Sequence, residues 1–234
     1  MSNDIPKIIY KHLGLVPYSV GHELQREIHG RVASGLMKGA VISLEHSNVL
    51  TLGKHSSRDN ILLDSEDLAR KNIELVEIDR GGQVTAHNPG QLVVYPILHQ
   101  KLFSFSPRKF VAAIEDAVIG LLKDFNIDGR KDEEHPGVWV GESKICSIGV
   151  RISKRTSLHG LALNVGNCLD IFDTIVPCGI QGRGVTSMSH VLGKCLTIED
   201  VSSALVGHLM GRFETEIDPE MSQLEACIES LKLV

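Results

Sequence analysis

The chain has 234 residues, about one and a half times a ~150-residue domain, so it carries one large domain or two small ones. Hydrophobic residues make up 42% and charged residues 23%, a globular balance that excludes a disordered chain. Lys and Arg total 24 against 29 Asp and Glu, a net charge of −5. That argues against general nucleic-acid binding and leaves room only for a local basic patch facing an acidic partner.

The start of the chain lacks the apolar core of a signal peptide and the Arg-rich bias of a transit peptide. The longest apolar stretch, residues 92–98, is broken by Pro96 and is far shorter than the ~20 residues of a membrane span. Cys146, Cys168, Cys178, Cys195 and Cys227 are odd in number and never spaced as CxxC, so neither a disulfide framework nor a zinc ribbon fits. The expectation is a reducing cytoplasm with free thiols.

In chain order, residues 5–10 predict a strand, and Ser19 predicts the cap of a helix to about residue 32, with Val20, Leu24 and Ile28 on one face. Strands follow at 40–45 and 49–52 around a Ser47-Asn48 turn, then a short helix at 64–71 and strands at 73–78 and 91–98. Ser106, with Pro107 at the first helical position, opens a helix to residue 125. Its apolar stripe is Phe110, Ile114, Val118, Leu121, Leu122 and Phe125. Strands at 137–140 and 144–152 flank the turn Gly141-Glu142-Ser143, another runs over 158–165, and helices over 197–213 and 219–231 close the chain. No repeat or linker divides it. The expectation is a single domain over 1–234 of α+β (mixed α/β) class, with mixed β-sheets flanked by helices.

Several familiar chemistries are missing from the sequence. It has no GxxxxGK[ST] phosphate loop, GxGxxG, GxSxG or HExxH, and its eleven histidines are scattered, so neither a metal nor a nucleotide cofactor is expected. Three segments do carry chemistry. RGGQVTAHNPGQ, from residue 80, is a Gly-rich turn that either wraps a ligand, with Arg80 and His87 in contact, or satisfies its own polar groups. In GESKICSIGVRIS, alternation places Lys144 on one face with Cys146, Ile148, Val150 and Ile152. Lys144 is therefore expected to point inward, where loss of water favours the neutral amine, unless it snorkels to solvent. In HGLALNV and IVPCGI, Gly160, Ala162 and Asn164 share a compact strand face, and Cys178 sits between Pro177 and Gly179 on an open corner. Such a thiol is either a nucleophile or a small core residue.

Together with LEHSNVLTLGKH (44–55) and VTSM (185–188), these segments resemble the octanoyltransferases of lipoate synthesis over about residues 40–190. The resemblance implies the fold of biotin and lipoate ligase catalytic domains. It implies that Cys178 carries an acyl thioester and that Lys144 helps ionise that thiol and shuttles protons. It implies that the acyl substrate is bound by Arg80, Gly81, Gly82, Gln83, Val84, Thr85, Ala86 and His87, with Ser147, Ile148, Gly149, Gly160, Leu161 and Ala162. The donor would be octanoyl-acyl carrier protein, and the acceptors lipoyl domains of 2-oxoacid dehydrogenase complexes and the glycine cleavage H protein, with no nucleic acid, membrane, metal or ATP involved. Asn88 stands where the pattern has Gly and Cys146 where it has Ala. The rival readings are an ATP-dependent lipoate or biotin ligase, a non-catalytic acyl-binding module and, more distantly, a cysteine peptidase using Cys178 with His87 or His159.

Overall fold

The structure is a computed structural model that describes residues 5–176 and 183–231. Its central strand, β6 (Gln91–Leu98), is buried along its whole length. Leu92, Val94 and Leu98 enter one apolar cluster, and Val93, Tyr95 and Ile97 enter another on the opposite face. Around it a nine-stranded sheet runs in the order β12 (Glu216–Ile217), β1 (Lys7–Val16), β2 (Gly39–His46), β6, β10 (Thr156–Asn164), β9 (Ser143–Ser153), β8 (Gly137–Val140) and β7 (Arg130–Lys131). The short β11 (Gly184–Val185) pairs with β9. Helices α3 (Pro107–Asp124) and α5 (Ile198–Phe213) cover one face, and α1 (Tyr18–Ala33) and α6 (Ser222–Ser230) the other. A second sheet, β4 (Glu74–Glu77), β3 (Val49–Leu52) and β5 (Val84–His87), buries its own cluster with Leu68 of α2 (Ser65–Arg70). The mixed α/β class expected from the sequence is the one observed.

The local signals act as expected where they are self-contained. Ser106 Oγ accepts from Lys109 N–H at 3.3 Å with Pro107 beside it, and Asp64 Oδ1 caps α2 through Asp67 N–H at 2.8 Å. Elsewhere the boundaries move. α1 starts at Tyr18 because Pro17, whose φ of −53° already suits the entry, is its N-cap, and Ser19 lies inside the first turn. Residues 84–87, expected as part of a loop, form β5, because Val84 to His87 pair antiparallel with β3 and are all buried. A five-residue helix, α4 (Met188–Leu192), was not expected; Ser187 caps it and Gly193 ends it in the left-handed region.

β6 is a central strand that contains a proline, which lacks a ladder donor. Ser157 of β10 compensates: its hydroxyl donates to Pro96 O at 2.7 Å and accepts from Leu98 N–H at 2.8 Å. Regular β6–β10 pairing is confined to Leu161–Asn164 against Gln91–Val94.

Candidate active site

A cleft of about 420 Å³ opens on the α1 face of the main sheet. Its floor is set by register: Ser147 pairs with Ala162 and Ala162 with Val93, while Gly149 pairs with Gly160. Four small residues thus tile the adjacent strands β9 and β10, with Val93 and Tyr95 of β6 and Tyr18 of α1 beyond them in the lining. Two of the small residues are also required by their neighbours. A Cβ at Gly149 would lie 2.8 Å from Arg80 Cδ, and a Cβ at Gly160 would run into the Val94 carbonyl. Gly160 is therefore small to admit strand β6 as well as to leave space in the cleft.

Lys144 lies at the β8 side. Alternation alone would place it with Cys146, but the β8–β9 ladder slips here: Val138 pairs with Cys146 and Trp139 with Lys144, leaving Ile145 unpaired. The bulge sends Cys146 and Ile145 into the core at 0% exposure, while Lys144, 8% exposed, lines the cleft. This corrects the expected face for Lys144 alone: Cys146, Ile148, Val150 and Ile152 do share one apolar cluster, as expected. The Lys144 backbone is held on two sides, paired with Trp139 and with Val185, and its carbonyl accepts from Thr186 N–H at 3.0 Å. Its Nζ lies 4.8 Å from the Trp139 ring centre and donates to Pro136 O at 3.2 Å. Burial pushes the Cys146 thiol up to about 12, against the pull of the Lys144 charge, so Cys146 is shut out of thiolate chemistry.

The opposite wall holds neutral groups in fixed orientations. Asn164 Nδ2 donates to Thr186 O at 3.0 Å, so its Oδ1 faces Gln91 and accepts from Nε2 at 2.9 Å. Gln91 Nε2 also donates to Ala86 O, which leaves Oε1 to accept from His87 Nδ1–H at 2.7 Å. A backbone carbonyl thus fixes, through two amides, the tautomer of His87, and its Nε2 carries the lone pair. Burial, reinforced by His46 nearby, holds His87 down at about 3. His46 donates Nδ1–H to Val16 O at 2.7 Å and accepts from the Tyr95 hydroxyl at 2.7 Å; burial lowers it to about 4. Tyr18 stacks on His87 at 6.1 Å, and burial raises its hydroxyl to about 12.

At the rim, His159 adopts φ +59° and donates Nε2–H to Asp79 Oδ1 at 3.0 Å, while Arg151 pairs with the other oxygen of Asp79. Burial outweighs the carboxylate and, with His22 beside it, keeps His159 low, at about 3. Among the described residues, His22, Asp79 and His159 are the one grouping of metal-ligand type, their donor atoms within 4.8 Å. Arg26 presses on His22, and Arg80 and Arg151 on His159, so a dication would meet three guanidiniums. The group suits a latch that ties the loop carrying Arg80 to β10. Arg80 itself is 8% exposed and donates to Thr51 O and Oγ1, both at 2.9 Å, and to Gly81 O at 3.0 Å.

The lipoyl protein ligase A/B catalytic-domain family matches residues 17–210. The chain belongs to that family. It is 40% identical over 210 residues to an octanoyltransferase of Syntrophobacter fumaroxidans, covering 90% of this chain and 92% of the relative. It is 39% identical to an octanoyltransferase of Roseiflexus sp., covering 88% and 87% of the two chains. Among solved structures it is similar to protein Ta0514 of T. acidophilum, a lipoate protein ligase solved with bound lipoic acid. The TM-score is 0.74, over 96% of this chain and 94% of that one, at 15% identity, a likeness of fold. The ligase-like architecture expected from the sequence is thus observed.

Of the residues that the resemblance assigned to the site, the cleft gathers Arg80, Gly81, Gly82, Gln83, Val84, Thr85, His87, Lys144, Ser147, Ile148, Gly149, Gly160, Leu161 and Ala162. Ala86, on β5, is fully buried in the apolar cluster of the small sheet, and its carbonyl accepts from Gln91 Nε2–H. Cys178 lies outside the described residues. Sequence reasoning missed Tyr18, Tyr95, Trp139 and Arg183. The one available signal was that Trp139 is the only tryptophan of the chain and stands five residues before Lys144.

Proposed function

We propose that the chain works as one catalytic domain. It transfers an octanoyl group from acyl carrier protein to the ε-amine of a lysine in a lipoyl domain, through a thioester on Cys178. The observation that carries this reading is a buried lysine at one end of a cleft floored by small residues, in a chain 40% identical to an octanoyltransferase. The width of β9, β10 and β6 together spans two strand spacings, ~10 Å, about the reach of an extended eight-carbon chain. The acceptors on this reading are the lipoyl domains of 2-oxoacid dehydrogenase complexes and of the glycine cleavage H protein.

The protons balance over the cycle. With Lys144 as ammonium, the Cys178 thiolate attacks the thioester carbonyl, and the carrier thiolate departs with the proton from Lys144. With Lys144 now neutral, the acceptor amine attacks the new thioester and gives its proton to Lys144, and Cys178 leaves as thiolate. One thioester replaces another and an amide replaces the second, so the sequence needs no ATP.

Incubation with octanoyl-carrier protein, without ATP and with chelator present, is expected to add one octanoyl mass to the protein. The added mass maps to Cys178 and disappears when a lipoyl domain is supplied. Full transfer by Cys178→Ala, or a requirement for ATP, would overturn the reading.

A further inference from the structure

Lys144 must hold one position in two charge states during that cycle, and a carboxylate partner would trap it as ammonium. Among the described residues it meets instead the Pro136 carbonyl, at 3.2 Å, and an indole. Trp139 is 1% exposed, anchored by Nε1–H to His135 O at 3.2 Å, and pairs directly across the ladder from Lys144. An aromatic face attracts the ammonium through its quadrupole and packs against the neutral amine through dispersion.

Carboxylates are close in the chain, and another cation occupies them. Arg183 lies over the same ring, Cζ at 4.2 Å from its centre, and its fork binds Asp132 at 2.7 Å and Glu142 at 3.0 and 3.1 Å. Arg130 adds a contact to Glu142 at 3.0 Å. Asp132 is held down at about 2 by its bond to Arg183, so the pair stays charged through the working pH range. The other groups at this corner are also engaged. Glu115 accepts from Gly137 N–H at 3.1 Å and pairs with Lys131 at 4.0 Å, and His135 lies tilted beside the Trp139 ring, 6.4 Å between centres.

Resting on the proton-shuttling role of Lys144 given above, we propose that Trp139 and Arg183 are positioning residues for Lys144. The indole holds the amine in both charge states, and Arg183 keeps Asp132 and Glu142 from capturing it. Without Arg183, a released carboxylate draws the Lys144 ammonium off the ring and holds it charged.

Four variants and one spectrum test this. Trp139→Leu is expected to lower kcat roughly tenfold, the scale of a cation–π contact, with KM for the carrier substrate within about twofold. Trp139→Phe should recover most of the loss. Arg183→Met should lower kcat several-fold and move the rising limb of kcat to higher pH, and Arg183→Met with Glu142→Gln should restore both. In the NMR spectrum, the Lys144 Cε protons should be displaced upfield by the indole and return toward ordinary lysine values in Arg183→Met. Unchanged kcat, pH profile and Lys144 resonances in Arg183→Met overturn the proposal, as does a Trp139→Phe enzyme as impaired as Trp139→Leu. If instead Lys144→Ala turns over normally, the role of Lys144 fails, whereas the resonance shift still decides whether ring and guanidinium position the amine.

Discussion

Along the β5, β6 and α1 side of the cleft, polar groups are buried and uncharged: His46, His87 and Tyr95 are bound to amides, hydroxyls and backbone carbonyls. Along the β8, β9 and β11 side, Lys144 and Arg183 lie over one indole, Asp132 and Glu142 bind Arg183, and of these groups only the lysine and the ring are buried. The first wall has its protons assigned by hydrogen bonds anchored in backbone, so it presents a constant surface. The second keeps its other charges paired toward the surface, Glu142 exposed and Asp132 and Arg183 half-buried, and presents a single amine to the interior. Fixed donors and acceptors suit binding, and a group that changes charge suits the chemistry. On the proposed mechanism, recognition and proton transfer then fall on opposite sides of one floor.

The largest effect that would break this comparison comes from Lys144. Lys144→Ala and Lys144→Arg are both expected to cut transfer by ~10² or more, the scale of a positioned acid–base group, with little change in KM. Arginine keeps the charge but does not give up its proton. Single-turnover aminolysis of the preformed acyl-enzyme checks it. Full turnover by Lys144→Arg would mean that this wall supplies charge alone, and the contrast between the walls would reduce to one of sign.

How much of this was legible in the sequence follows from how local each signal is. The Ser106-Pro107 start of α3 was readable because the cap and the proline act on their own helix. The face of Lys144 was misread because the bulge that turns it depends on how β8 pairs, which alternation along β9 does not report. β5 was taken for loop because Val84 to His87 gain their ladder only from β3, some thirty residues earlier. The Arg80 to His87 motif was visible as a site, but its neutral wall was not. His46 and Tyr95 are 49 residues apart and Gln91 and Asn164 are 73 apart, so only the folded sheet makes them partners.

Acid should act on the neutral wall first. Burial places His46 at about 4 and His87 and His159 at about 3, below the ordinary imidazole value. Below pH ~6.5 the unfolded chain takes up protons that the folded chain does not, so stability from these groups is complete above that pH and falls as pH drops. The slope is up to about 1.4 kcal/mol per pH unit for each histidine. Asp132, held at about 2, keeps its charge throughout, so between pH 6.5 and 5 the change belongs to buried histidines, those of the wall together with His22 and His29, which burial also lowers. Melting temperature followed from pH 8 to 5 should fall steadily, and less steeply in His87→Gln. A flat profile would show that the wall is not held neutral.

The smallest effect separates the rim from both walls. The chain is net negative, so an acidic carrier or lipoyl domain needs a local basic surface. Of the basic residues flanking the motifs, Arg58 pairs with Glu77 and Arg151 with Asp79. Lys154 and Arg155 form the left-handed tip of the β9–β10 hairpin, at φ +47° and +60°, and among the described residues they enter no ion pair. Reversing both to Glu should raise KM for the carrier-protein substrate about threefold to fivefold at low salt, leave kcat alone, and leave a small octanoyl thioester unaffected. Arg151→Glu is the contrasting change. It removes a partner of Asp79 and loosens the latch to His159, so both substrates should suffer alike. Equal effects of the Lys154/Arg155 reversal on both substrates would mean that the hairpin tip acts through the neutral wall and is no docking surface. Loss of the carrier-specific effect at high salt would confirm that long-range attraction, and no contact inside the cleft, had been removed.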